Sequence, residues 1–108
     1  MAMPEKDELL LMQLILMFQT TSLQHMGKLK NPLTDKIDQD LSQAQISIDM
    51  LEMIHTKTRG NLSHEEERML STILQELKLN YVDEVTKKQD ADSHHAEHPP
   101  TTESGAQP

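Results

Sequence analysis

The sequence predicts an all-α protein: an N-terminal apolar helix, an antiparallel helical hairpin and a disordered C-terminal tail. Three observations carry this. Residues 9–18 read LLLMQLILMF, one glutamine among nine apolar residues. Residues 37–55 place their apolar side chains at alternating spacings of four and three, the stripe of a packed helix. Gly60 and Ser63 then end that stripe and begin another.

The first helix is expected over residues 7–26. Pro4 suits a first turn, and Glu5, Asp7 and Glu8 suit the positive end of the helix dipole. Apolar side chains cover every side through Phe18, after which Leu23 and Met26 leave only a stripe. Gly27 is the expected stop, and residues 28–34 (KLKNPLT) read as a linker turning at Asn31-Pro32.

The second helix is expected over residues 36–58, capped by Thr34 or Asp35. Ile37, Leu41, Ala44, Ile48, Leu51 and His55 form one seam; Ile46, Met50 and Met53 form another on the opposing side. A helix apolar on two sides needs two neighbours. Gly60 supplies a left-handed C-cap, and Ser63 with Glu66 makes a capping box for the third helix. Leu70, Ile73, Leu74, Leu77 and Tyr81 give that helix one face, with Val82 and Val85 at its end. The short GNLS connection requires helices two and three to pack antiparallel. Helix three is expected on the first seam and helix one on the Ile46/Met50/Met53 row.

Residues 86–108 hold Ala91, Ala96 and Ala106 as their only apolar side chains and read as a disordered polar tail. The domain is then residues 1–85, too short for a second core. Its 8 lysines and arginines stand against 14 acids, within a net charge of −8 for the whole chain. An acidic domain with no basic stripe and only Phe18 and Tyr81 as aromatics lacks the features that bind nucleic acid. The absence of cysteine rules out disulfides, iron–sulfur clusters and thiolate zinc sites, and fits a reducing compartment. The opening MAMPEKDE does not resemble a secretory signal.

Residues 48–84 carry a family resemblance. It rests on Ile48-Asp49-Met50-Leu51-Glu52, Thr56-Lys57-Thr58-Arg59-Gly60-Asn61-Leu62, Glu65-Glu66-Glu67-Arg68, and Leu77 with Tyr81-Val82. This pattern resembles a family of short bacterial proteins known as domain of unknown function 1844, and extends more loosely back through helix one. The resemblance implies a small all-helical bacterial cytosolic protein; it brings no activity, cofactor or partner.

No motif points to catalysis or to a metal. His94, His95, His98 and Glu97 could offer ligands, but from a tail that would have to be ordered on binding. His55 reads as a boundary histidine near Glu52 and Arg59, and His64 as the first residue of helix three. Glu52 and His55 form a single ExxH, where a di-iron bundle needs the motif on two helices. Dipole stabilisation explains Asp35, Asp38 and Asp40, and likewise Glu65, Glu66 and Glu67. Ser63 lacks a base and orienter, and glycines at 27, 60 and 105 make no phosphate loop. The expectation is no enzyme, no cofactor and no metal.

Function must therefore come from surface. Helix one has more apolar area than one small domain can cover, so the chain is expected to self-associate, as a homodimer or larger. Leu10, Leu14, Met17 and Phe18, with Met50 and Met53 beside them, are the expected interface. A further protein partner is compatible with this, and the expected location is cytoplasmic. The rival is a peripheral membrane protein inserting helix one. The sequence favours it less, because QTTSLQHMG is polar for a span and no basic cluster flanks it.

Overall fold

The computed structural model describes residues 3–97, and the side chains of residues 5–92. Three helices follow one another: α1 (Met3–Met26), α2 (Leu41–Lys57) and α3 (His64–Glu97). Among the described residues the only extended pairing is an isolated bridge between Asn31 and Lys36, so the protein is all-α.

Helix α1 stops where glycine permits. Gly27 adopts φ +88°, and the following turn is closed by Lys28 N–H donating to the Leu23 carbonyl at 2.9 Å. The Gln39 amide donates to the Met26 carbonyl at 2.9 Å, satisfying an oxygen that the helix end would leave unpaired.

Helix α2 begins at Leu41, five residues later than the spacing of Ile37 suggests. The Asn31-Pro32 turn is longer than expected. Asn31 accepts from Leu33 N–H on its side chain at 2.8 Å and from Asp35 N–H on its carbonyl at 2.7 Å. Asp35 takes φ 58°, a left-handed conformation that no helical turn contains. Ile37 is left exposed, off the seam. The cap is Asp40, neither Thr34 nor Asp35: its carboxylate accepts from Gln43 N–H at 3.2 Å and the Ser42 hydroxyl at 2.8 Å. Its own N–H donates to the His25 carbonyl at 2.7 Å, joining the end of α1 to the start of α2.

The second connection follows expectation. Gly60 has φ +88°; Ser63 N–H donates to Glu66 Oε1 at 2.8 Å, and Glu66 N–H to Ser63 Oγ at 3.1 Å. Helices α2 and α3 run antiparallel, shown by the Lys78–Glu52 pair at 2.6 Å and the His55–Glu67 pair at 2.7 Å.

The core holds Ile15 and Met26 of α1, Ala44, Ile48 and Leu51 of α2, and Leu70, Ile73, Leu74 and Leu77 of α3. Helix α1 contacts both other helices. It does so over the same arc of α2 that α3 uses, not over the Ile46/Met50/Met53 row. Those three lie roughly 180–240° around α2 from Ala44, at about 100° per residue, and all three remain exposed. A small buried set (Ser22, Ala44, Ser47) explains how two neighbours fit on one arc: short side chains let helices approach closely.

Helix α3 continues past the point where the tail was expected to begin, and residues 86–97 are helical. Its residues 86–92 are all exposed, and Lys87 pairs with Asp83 one turn back at 3.3 Å. Val82 is exposed, while Val85 is half-buried. Lys28 reaches this part of α3 from the loop, at 2.9 Å from Glu84 and 3.3 Å from Asp83. The hydrogen bond to Glu84 raises the Lys28 pKa, and the same bond lowers that of Glu84.

Candidate functional site

Helix α1 is apolar on nearly every side over residues 9–18, so packing one side of it strands the other in water. Ile15, Ser22 and Met26 face inward and are fully buried; Leu11, Phe18 and Leu23 flank them against the core. The outer side carries Leu9, Leu10, Leu14, Leu16 and Met17, each between 38% and 64% exposed, while Met12, 40% exposed, turns toward α3 and lines a hollow with Met69, Thr72 and Ile73. Single exposed apolar residues are ordinary on proteins, but five within nine positions on one side of a helix make a patch. Toward the C-terminal end the patch gives way to a shallow hollow of about 470 Å³ lined by Gln13, Leu16, Met17, Thr20, Thr21 and Gln24. No lysine, arginine, aspartate or glutamate occurs between residues 9 and 27. What this surface offers a partner is therefore apolar contact and neutral hydrogen bonding.

The structure places the expected interface residues in three groups. Leu10, Leu14 and Met17 lie together on the outer side of α1. Phe18 is turned inward and half-buried against the core. Met50 and Met53, 46% and 49% exposed, lie on the outer side of α2 with Ile46. Leu9 and Leu16 join the first group; the sequence does not mark them, because an apolar run gives no sign of which side turns inward. The loop adds Leu29, Leu33 and Ile37, with Leu33 93% exposed. The Asn31-Pro32 turn that exposes them could be read from the sequence, though its left-handed Asp35 could not.

The candidate chemical residues are engaged in structure. Glu52 pairs with Lys78. His55 Nε2 donates to Glu67 Oε2 at 2.7 Å, and Ser71 Oγ donates to the same oxygen at 3.0 Å. The carboxylate sits between hydroxyl and imidazole, so histidine does not touch serine as a general base must. His64 opens α3 and is exposed. No group of three or more metal-capable side chains forms among the described residues. The side chains of His94, His95 and Glu97, and all of His98, lie outside them.

The hydrogen bond from His55, and secondarily that from Ser71, holds the Glu67 carboxyl below its ordinary pKa of 4.5. A lowered folded-state value contributes stability above the ordinary carboxyl pKa, and that contribution disappears as pH falls through the lowered one. Between about pH 6 and about pH 3.5 the native chain should thus lose more stability than Glu67→Gln, compared by urea midpoint. Equal losses in both would show that the clamp between α2 and α3 contributes nothing.

Among the described residues no helix is long and apolar enough to cross a membrane. Residues 8–84 match the model of a family described as Domain of unknown function (DUF1844). None of the curated proteins and none of the solved structures matches the chain.

Proposed function

Because the chain belongs to the family of domain of unknown function 1844, which brings no activity with it, we propose a function from its surface: a self-associating helical interaction or scaffolding module, without catalytic activity, working in the cytoplasm. One observation carries this reading, the patch of five large apolar side chains left wet on the outer side of α1. Fully burying such a side chain is worth about 1.5–3 kcal/mol, so several together rival the roughly 5–15 kcal/mol that holds a small domain folded. A second copy offering the same patch covers it most economically, since a twofold contact needs no surface the chain lacks.

Light scattering coupled to size exclusion on the full chain, without detergent, tests the proposal. A discrete dimer or higher species is expected, and it should persist in about 1 M salt, where charge interactions are screened within about 3 Å. A monomer at every concentration would defeat it. The competing reading, insertion of α1 into a lipid surface, has the same patch in its favour but acids at the leading end of the helix. Flotation with neutral and anionic vesicles separates the two: protein that floats and is monomeric without lipid supports insertion instead.

A further inference from the structure

The outer side of α1 is more ordered than a plain apolar patch. Lys6, Leu10, Gln13, Met17, Thr20 and Gln24 recur at spacings of four and three, so they form one continuous stripe along the helix. The first five are exposed and Gln24 is half-buried. Gln13 stands between Leu10 and Met17, with Leu9 and Leu16 on one flank and Leu14 on the other. It is the one polar side chain in the run from residue 9 to residue 18.

Building on the self-association proposed above, we infer that two copies of α1 pair antiparallel, with Gln13 at the twofold axis facing its counterpart and setting the register. A carboxamide has both donors and an acceptor, so two related by a twofold axis can bond each other reciprocally. A slide of one place along the stripe would instead bury each amide against the partner's Leu10 or Met17 with its hydrogen bonds unmet. A single polar residue within an apolar seam is a known device for fixing register.

Charge selects the orientation. Glu5, Asp7 and Glu8 crowd the start of α1 beside Lys6. Parallel pairing through the stripe would set Lys6 against Lys6, with Glu5 and Asp7 on its two flanks each near its own copy. With Gln13 on the axis, antiparallel pairing sets the two clusters about 13 residues apart along the helices, about 20 Å against a screening length of about 8 Å. It brings Lys6 beside the partner's uncharged Thr20 and Thr21, away from the partner's Lys6. Leu10 of each copy then meets Met17 of the other.

The chain has no cysteine, so introduced thiols report cleanly. Leu10→Cys and Met17→Cys are made separately in the full chain, mixed, allowed to exchange and mildly oxidised. The mixed disulfide is expected, with neither variant forming a disulfide with itself when alone. Self-linking of Leu10→Cys and of Met17→Cys would establish parallel pairing and overturn the inference while leaving self-association intact. A chain that assembles but links in no combination would place the contact elsewhere and overturn it as well. In a Gln13→Leu background the assembly should persist, with the mixed disulfide between Leu10→Cys and Met17→Cys reduced as the pair slips by one place along the stripe. An unchanged pattern there would remove Gln13 from its assigned role. A monomeric chain would instead defeat the underlying reading.

Discussion

Leu10→Glu combined with Met17→Glu converts the assembly to a folded monomer. Both side chains are more than half exposed in the single subunit, at 53% and 64%, so glutamate there meets water and disturbs no packing. In a twofold contact the pair counts twice. At about 1.5–3 kcal/mol for full burial, the exposed fractions of the four side chains are worth about 4–7 kcal/mol, or about three to five decades in Kd. Light scattering should show the subunit mass at concentrations where the native chain is assembled, with helical circular dichroism retained. Met50→Glu with Met53→Glu is the matching control: these lie on the outer side of α2, and the assembly through α1 should survive. If the control dissociates the assembly and the α1 pair does not, the contact belongs to α2.

The two halves of that experiment reflect what the sequence could show. Capping chemistry is local and short, which is why Gly27, Gly60 and the Ser63/Glu66 box are legible and the structure matches them. The inner face of α3 is also legible, because Leu70, Ile73, Leu74 and Leu77 are separated by the polar Ser71, Thr72, Gln75 and Glu76. The start of α2 is not. Ile37 fits the four-and-three spacing by coincidence, while the Asp35 backbone and the bridge from Asn31 to Lys36 break the chain before helix can form. Spacing is a statement about side chains, and here a backbone conformation overrules it.

The faces of α1 are illegible for a different reason. When every side is apolar, periodicity cannot say that Ile15 is buried while Leu16 and Met17 are wet; only the shape of the α2–α3 pair decides it. The expectation that α1 covers Ile46, Met50 and Met53 fails on the same point. An apolar row does not oblige a neighbour within the chain to cover it, because Ser22, Ala44 and Ser47 let α1 and α3 share the opposite arc. The α3 helix over residues 86–97 shows the converse case. Few apolar residues argue against burial but not against helix, which charged pairs such as Lys87 with Asp83 support in the open.

Leu51→Ala tests the division between inner and outer surfaces from the other side. Leu51 is fully buried on the arc of α2 that meets both neighbouring helices. Its truncation removes transfer energy and leaves a cavity, so about 2–5 kcal/mol of stability should go, a large part of the roughly 5–15 kcal/mol available. Leu16→Ala, at a side chain 43% exposed, should cost the subunit much less. The concentration dependence of unfolding separates their roles. If assembly stabilises the subunits by mass action, the native urea midpoint rises with protein concentration. Leu51→Ala should lower the midpoint at every concentration and keep that rise, because the outer stripe of α1 is untouched. In Leu10→Glu with Met17→Glu the rise should vanish. A midpoint for Leu51→Ala that no longer responds to concentration would mean the inner arc and the outer patch are one cooperative surface, with the fold itself depending on the partner.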